Sequence, residues 1–371
     1  MEDSQQFILW FDQLGIEDVP IVGGKNASLG EMYQNLTKKG VTVPNGFAVT
    51  AYAYRYLLEK TGAKEKIVEL LSGLNTKDLH NLEERGHKVR SLIRNLEFPL
   101  ELRDAIIEGY KHLEKEYGDH TDVAVRSSAT AEDLPDASFA GQQETYLNIH
   151  GYEEIIDACK LCFASLFTNR AISYREDKNF DHFSIALSIG VQKMVRSDRA
   201  CSGVMFSIDT ESGFKDAIFI TSAYGLGENV VQGAVNPDEF YVHKPTLKQG
   251  FRPIIMKKVG RKAIKMIYTT DSKHPVKNVP VAEADQKNYA INDDEVLELA
   301  RMAQTIEDHY SEKAGHFKPM DMEWAKDGIT GQLFIVQARP ETVQSQKDAS
   351  LLRTCILRQT GDIAILGKSV G

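Results

Sequence analysis

Residues 320–340 read MDMEWAKDGITGQLFIVQARP and predict two antiparallel strands joined by a short turn. Apolar residues at 320, 322 and 324 alternate with carboxylates at 321 and 323, and a period of two is typical of a half-buried strand. An Asp-Gly turn signal at 327–328 follows, and the apolar run at 333–336 suits a second strand. The hairpin therefore indicates a sheet, and its polar face is the first candidate for a functional site.

The second strand of this hairpin carries polar side chains where a core strand should stay apolar. By simple alternation, Gln337 and Arg339 lie on the face shared by Leu333 and Ile335. An edge hairpin with one solvated face would explain the two carboxylates on the first strand, but it explains the amide and the guanidinium poorly.

The polar side chains at the ends of the two strands would suit a metal-bound polyphosphate. The oxygens of Glu323 and Gln337 are hard ligands of the kind that Mg²⁺ takes, and Arg339 can form paired hydrogen bonds with phosphate oxygens. The hairpin alone leaves two interpretations open, a polyphosphate site and an edge hairpin with one solvated face.

Length and composition indicate an ordinary globular protein of about two or three packed units, with 371 residues, 42% hydrophobic and 26% charged. The net charge of −9 argues against a nucleic acid or an anionic membrane surface as the main partner. The N-terminus lacks the features of a signal peptide, and no run approaches the ~20 apolar residues of a membrane span. We therefore expect a cytoplasmic protein that does not bind nucleic acid or membranes.

Four cysteines are too few for a disulfide framework, and no second pair completes a zinc site with Cys159 and Cys162. The apolar spacing around these two cysteines predicts one buried helix face. Residues 51–117 predict helical packing without chemistry, and the basic run KKVGRKAIK at 257–265 predicts a solvated hairpin.

A glycine turn at 23–24 leads into a predicted helix, with Lys25 beside its N-terminus and Asn26 or Ser28 as candidate caps. Helix N-termini attract anions, and a lysine there strengthens the attraction. The spacing is not that of a Walker P-loop, and a plain loop lysine is the alternative.

A predicted strand at 121–126 ends at Arg126, and a long loop of small and hydroxyl-bearing residues precedes the next strand at 146–149. A long loop of this composition between two strands is usually either functional or disordered. With an arginine at its base it would suit a cover over phosphates, and a mobile surface loop is the equal alternative.

Six segments together resemble the N-terminal nucleotide-binding part of the phosphoenolpyruvate synthase family, also called pyruvate, water dikinases. Pyruvate phosphate dikinases and rifampicin phosphotransferases are similar but more distant. The resemblance covers residues from about 7 to 343. In chain order the segments are GGKNASLGEM (23–32), VRSSATAED (125–133), FAGQQET (139–145), GLGE (225–228), VNPDEFY (235–241) and QARPET (337–342).

The resemblance implies an α/β (α+β) fold of ATP-grasp type, in which two lobes at 1–195 and 196–344 clamp ATP and Mg²⁺. It also implies a pyrophosphoryl transfer from ATP to a histidine on a separate swivelling domain, with release of AMP. Water then removes the outer phosphate, and the remaining phosphohistidine phosphorylates pyruvate at a third domain.

The resemblance also implies roles for residues at the matching motif positions. Lys25, Arg126 and Arg339 would contact the phosphates and carry the transfer, and Glu323 and Gln337 would hold Mg²⁺. None of these residues needs to act as a base, because phosphoryl transfer depends mainly on positioning and charge neutralisation.

Five further positions follow from the same motifs. Gly141 and Thr145 would belong to a loop that covers the phosphates, and Gln192 would lie in the hinge on the adenine side. Glu228 would be a polar contact near the reacting phosphates, and Asp321 would support the metal site from behind Glu323.

The end of the chain departs from the family pattern. The family's transfer histidine lies in a hydroxyl-rich Thr-x-Gly-Gly-like motif, and none of the ten histidines has this context. Residues 345–371 resemble a linker and only the opening strands of the swivelling domain. The sequence therefore predicts a chain that binds Mg-ATP without its own phosphate carrier or pyruvate site.

Two alternatives remain at this point. The chain could be the ATP domain of a rifampicin-type antibiotic phosphotransferase, which only the acceptor domain would distinguish. It could also be a nucleotide-binding module without catalysis, although a module of that kind has no need of all five phosphate and metal residues.

Overall fold

The computed structural model describes residues 5–130, 133–134, 137–138, 144–269, 271 and 274–342, with the backbone alone at 133–134 and 137–138. Gly141 lies outside these residues, and so does the segment at 345–371 for which the sequence predicts a linker and the start of the swivelling domain. The expectations for these positions stay predictions.

The first half of the chain builds a five-stranded antiparallel sheet flanked by helices, with strand order β1-β2-β7-β3-β6. Its strands, with the short β4–β5 pair, are β1 (Ile8–Trp10), β2 (Gly46–Val49), β3 (Val123–Ala129), β4 (Asp133–Leu134), β5 (Ala137–Ser138), β6 (Thr145–Ile149) and β7 (Leu187–Lys193). Its helices are α1 (Val19–Leu36), α2 (Ala51–Lys60), α3 (Ala63–Leu71), α4 (Leu79–Arg94), α5 (Leu100–Tyr117), α6 (Tyr152–Ser165) and α7 (Asn169–Asp177). The helical prediction for 51–117 is confirmed.

The second half builds a six-stranded antiparallel sheet of order β11-β10-β9-β8-β14-β15 and a separate β12–β13 hairpin. The strands are β8 (Cys201–Phe206), β9 (Ala217–Tyr224), β10 (Asp238–His243), β11 (Ile254–Lys258), β12 (Ile264–Tyr268), β13 (Val276–Pro280), β14 (Met320–Lys326) and β15 (Leu333–Pro340). The helices are α8 (Glu228–Val231), α9 (Lys244–Lys248), α10 (Glu283–Gln286) and α11 (Asp293–Ala314).

Two large hydrophobic clusters form the core. One packs helices α2 to α6 against the five-stranded sheet, and it buries Cys159 and Cys162 as the helical spacing predicts. The other packs α1 and α11 against the six-stranded sheet. Helix α1 also contacts β3 and β7, so it lies between the two sheets and is covered on both sides.

The hairpin predicted at 320–340 is present, but its second strand contains an irregularity that the alternation does not reveal. Glu323 lies opposite Gln337, whereas the next residue of β14, Trp324, lies opposite Ile335. Val336 therefore has no partner in the register and is the extra residue of a β-bulge, which bends a strand and redirects the side chains that follow.

The predicted placement of the polar side chains on the apolar face of β15 is wrong, because the bulge shifts the alternation by one residue. Leu333, Ile335 and Ala338 are buried together on the core face. Gln337 and Arg339 lie on the opposite face, beside the carboxylates of β14. The polar end of the strand is thus directed away from the core.

The basic run at 257–265 is not a solvated hairpin. Strand β11 pairs with β10 and strand β12 with β13, so the two halves of the run belong to different sheets. Lys262 is fully buried in an ion pair with Asp238. Nothing local predicts this pair, since Asp238 lies 24 residues earlier in the chain.

Candidate nucleotide site

A cavity of about 600 Å³ lies between the two sheets and brings together residues from most of the chain. Eight of the nine predicted site residues within the described part of the chain line it. These residues are Lys25, Arg126, Thr145, Gln192, Glu228, Glu323, Gln337 and Arg339. Asp321 is not among the lining residues, and Gly141 lies outside the described residues.

The β14–β15 hairpin supplies the candidate oxygen ligands of the cavity. Because Glu323 and Gln337 are direct partners in the antiparallel register, their side chains emerge side by side on the same face. Among the described residues no group of three or more acidic, histidine or cysteine side chains could hold a metal. One carboxylate and one amide fit Mg²⁺, which usually keeps water and substrate phosphates in its remaining positions.

Arg339 is oriented by Asp321, the residue opposite it in the hairpin. Its Nε donates to Asp321 Oδ2 at 2.8 Å, and its Nη2 lies 2.8 Å from the same oxygen. Burial raises the pKa of Asp321 above its ordinary value, although Arg339 acts in the opposite direction. In the structure Asp321 therefore orients Arg339, a candidate phosphate ligand, whereas the sequence predicts that Asp321 supports the metal site.

Arg126 lies on β3 directly opposite Thr145 of β6, so both side chains enter the cavity from the first sheet. Its Nη1 donates to the carbonyl of Val336, the bulged residue, at 3.2 Å. Its Nε is buried and has no hydrogen-bond partner among the described residues. Arg126 therefore joins the two sheets and keeps donor capacity for an anion in the cavity.

Lys25 enters the cavity from α1, immediately after a break in that helix. Gly23 interrupts the helix with φ 73° and ψ 165°, so the glycine turn predicted before Lys25 is confirmed. A Cβ at Gly23 would collide with Ser128 of β3, so the close approach requires glycine. The N–H of Asn26 donates to Ser128 Oγ at 3.4 Å, which replaces a cap within the helix.

The predicted capping roles of Asn26 and Ser28 are wrong, because both side chains make tertiary contacts instead. The Asn26 amide donates to Ser188 Oγ of β7 at 3.0 Å. The Ser28 hydroxyl donates to the carbonyl of Ala338 on β15 at 2.7 Å. These contacts fix α1, and Lys25 with it, between the two sheets.

One end of the cavity is apolar and was missed by the sequence patterns. It is lined by four side chains from separate strands and loops, namely Ala124, Leu147, Met194 and Leu226. Gln192 lies beside them on β7, and its Nε2 donates to the carbonyl of Pro44 at 3.3 Å. We call the space between these four side chains the apolar slot. A slot of this kind beside a polar, cationic end matches a nucleotide, which has a flat base at one end and anionic phosphates at the other.

Glu228 is the first residue of the short helix α8 and lines the cavity from the second half of the chain. The side-chain amide of Gln232 donates to Glu228 Oε1 at 2.7 Å and fixes the carboxylate. The loop before it, with Gly225 and Leu226, places this acidic group next to the apolar end.

A mixed fold of helices and sheets with this cavity is consistent with an α+β nucleotide-binding domain. The family model described as pyruvate phosphate dikinase, AMP/ATP-binding domain, matches residues 19–354. The chain belongs to this family. No described helix is long and apolar enough to cross a membrane.

Curated relatives agree with the resemblance seen in the sequence. The chain is 60% identical to phosphoenolpyruvate synthase of Synechocystis sp. over 98% of its length, and 57% identical to that of Aquifex aeolicus over 95%. It is 51% identical to phosphoenolpyruvate synthase of Escherichia coli over 99%. The matches cover 45%, 41% and 46% of these relatives, so the chain spans less than half of their length.

Proposed function

We propose that this chain is the Mg-ATP-binding part of a phosphoenolpyruvate synthase. The observation that carries the proposal is the cavity, in which cations, oxygen ligands and an apolar slot from distant segments meet. The names of the relatives at 51–60% identity favour this activity over an antibiotic phosphotransferase. The full reaction would convert ATP, pyruvate and water into phosphoenolpyruvate, AMP and phosphate.

The polar end of the cavity would receive the triphosphate. Three cationic side chains approach it from different elements, namely Lys25 from α1, Arg126 from β3 and Arg339 from β15. They would surround the negatively charged phosphates on three sides. Arginine forks match phosphate oxygens in geometry, and lysine adds a point charge. Charge neutralisation and alignment are the main contributions a protein makes to phosphoryl transfer.

Glu323 and Gln337 would hold Mg²⁺ beside the phosphates, and the bound ion would add positive charge at the phosphate oxygens. The apolar slot and the Gln192 segment would receive the adenine. Thr145 would cover the phosphates, together with Gly141, whose role is implied by its motif alone. Glu228 would lie near the reacting end.

An ATP-grasp-like arrangement of two lobes, at 1–195 and 196–344, is part of the proposal. It is supported by the two separate antiparallel sheets and by the cavity between them. The phosphate acceptor would be a histidine on a swivelling domain, and pyruvate would bind to a third domain. Relatives more than twice as long leave room for both.

Calorimetric titration of the chain with ATP, with and without Mg²⁺, tests the metal site. Wild-type protein should bind ATP more tightly when Mg²⁺ is present. Glu323→Ala should lose that difference, because the carboxylate ligand is gone and one amide cannot hold the ion. Glu239→Ala is the matched control, since Glu239 lies in the same sheet but does not line the cavity.

The same Mg²⁺ dependence in Glu323→Ala and wild type would remove Glu323 from the metal site. The chemistry is tested by adding a separately produced swivelling domain and following AMP. No AMP formation, with Mg-ATP bound, would favour a nucleotide-binding module without catalysis.

A further inference from the structure

The β12–β13 hairpin, called the strap below, is firmly fixed at its root. Lys262, two residues before β12, is buried in its ion pair with Asp238 at the start of β10. The Lys262 ammonium also donates to the carbonyl of Gly260 at 2.8 Å. The root of the strap is therefore tied to the six-stranded sheet.

The far side of the strap is held on the first sheet by two side-chain hydrogen bonds. The Tyr268 hydroxyl donates to Asp122 Oδ2 at 3.0 Å, and the Asn148 amide donates to the carbonyl of Pro275 at 3.1 Å. Asp122 also accepts from Lys193 Nζ at 2.6 Å, and the Arg196 guanidinium lies 4.8 Å from the Tyr268 ring centroid. Burial raises the pKa of Tyr268, so the phenol stays a donor.

Between these two contacts the interface is incompletely packed. A second cavity of about 210 Å³ separates β6 from the strap. Its lining from the two sides includes Tyr146, Leu147, Ile149, Met266, Pro275 and Val276. Met266, Tyr268 and Val276 of the strap pack against Ala124 and Met194, and the cavity leaves this apolar contact incomplete, so the two hydrogen bonds add to the attachment.

The strap also reaches the wall of the nucleotide cavity. Met266 of β12 accepts a backbone hydrogen bond from Leu226 at 3.0 Å, and Asn278 of β13 accepts from the Asn229 amide at 2.7 Å. Leu226 lines the apolar slot, and Glu228, two residues later, begins helix α8. A displacement of the strap would therefore move one wall of the slot.

We propose that Tyr268 and Asp122 form a latch that holds the strap on the first sheet and sets how fast nucleotide leaves the cavity. The latch rests on the proposed binding of ATP. If release requires the strap to be detached, the dissociation rate follows the fraction of time that the latch is open. Tyr268 is thus a positioning residue and contacts no nucleotide atom.

The test compares Tyr268→Phe with wild type in the full chain, using stopped-flow release of N-methylanthraniloyl-ATP, with Mg²⁺, chased by excess ATP. Removing a hydrogen bond to a carboxylate should raise the dissociation rate about tenfold. The ratio of ATP affinities with and without Mg²⁺ should stay unchanged, since the phosphate end is untouched. Tyr241→Phe is the matched control, because its phenol also bonds an aspartate, Asp209, away from the cavity.

A second variant, Asn148→Gly, removes the other hydrogen bond. Asn148 has φ 58°, which glycine adopts without strain. It should also speed release, and the double variant should exceed either single one. Dissociation rates of both single variants within twofold of Tyr241→Phe, with wild type binding Mg-ATP, would overturn the latch alone. Failure of the wild type to bind Mg-ATP would overturn the proposed function as well.

Discussion

Two aspartates of the six-stranded sheet each hold a cation, but their surroundings differ. Asp238 and Lys262 are both fully buried, and Asp238 also accepts from Ser222 Oγ at 3.1 Å. The Asp321 side chain is 15% exposed, whereas that of its partner Arg339 is 45% exposed and lines the cavity. The first pair is enclosed by the protein, whereas the second places its cation at the wall of the cavity.

The difference teaches that a carboxylate–cation pair serves structure or binding according to where the cation points. Lys262 donates to Asp238 and to backbone carbonyls, and it fixes the root of the strap. Arg339 offers only Nε and Nη2 to Asp321, which holds the guanidinium plane in place. Asp238–Lys262, the sealed pair, should therefore affect stability, and Asp321–Arg339, the open pair, should affect nucleotide affinity.

The largest effect is expected at the sealed pair. Lys262→Met keeps a long, unbranched side chain but leaves the Asp238 carboxylate buried without its cation. The free energy of unfolding should fall by about 3–5 kcal/mol, as for other buried pairs that lose one partner. Urea unfolding followed by fluorescence measures it.

Lys258→Met is the matched control, because Lys258 is 57% exposed in its ion pair with Glu239. It should stay within about 1 kcal/mol of wild type. If Lys262→Met were as stable as this control, the contrast between the sealed and the open pair would be lost.

The open pair should show the reverse pattern. Arg339→Ala should raise the dissociation constant of Mg-ATP about 10–100-fold, because charge-assisted hydrogen bonds to phosphate are lost. It should also prevent phosphohistidine formation on an added swivelling domain. Its effect on unfolding should be smaller than that of Lys262→Met.

Calorimetry gives the affinity, and Arg252→Ala is the control, since Arg252 forms an exposed ion pair with Asp294 outside the cavity. Unchanged affinity and transfer in Arg339→Ala would exclude Arg339 from the phosphate site.

The sequence predicts the hairpin that carries the open pair but not the surroundings of the sealed pair, for a physical reason. Alternation along 320–326 is a local property, so the hairpin and its acidic face could be inferred correctly. The bulge at Val336 could not be inferred, because it depends on how β15 pairs with β14. The sequence places Lys262 in a solvated run, because its partner Asp238 comes close to it only in the folded chain.

The candidate site divides in the same way. Its charged residues carried a signal in the sequence chiefly through the family motifs, since the local patterns around Lys25 and Arg126 each left a plain alternative open. The apolar slot gave no such signal, since Ala124, Met194 and Leu226 look like ordinary core residues. Their meeting in one cavity follows from tertiary structure alone.

Glu31 of α1 is a third carboxylate paired with cations, and its surroundings are intermediate between those of Asp238 and those of Asp321. It is buried, accepting from the backbone N–H of Ile16 at 3.0 Å and from Lys313 of α11 at 2.9 Å, and it lies 2.6 Å from His309 Nε2. Burial alone would raise the pKa of Glu31, but Lys313, the Ile16 N–H and His309 together lower it below the ordinary value of 4.5. Glu31 thus joins the helix that carries Lys25 to the second half of the chain.

Glu31→Gln should lower the free energy of unfolding by about 1–2 kcal/mol at pH 7, since Gln retains some of the hydrogen bonds without the charge. A lowered pKa in the folded state stabilises the protein above the unfolded value and ceases to do so as pH falls through the folded value. The difference between variant and wild type should therefore shrink below about pH 4.5. Urea unfolding at pH 7, 5, 4 and 3 measures it, with the exposed Glu298→Gln as control. A constant difference across this range would mean that shape, and not the charge of Glu31, holds α1 against α11.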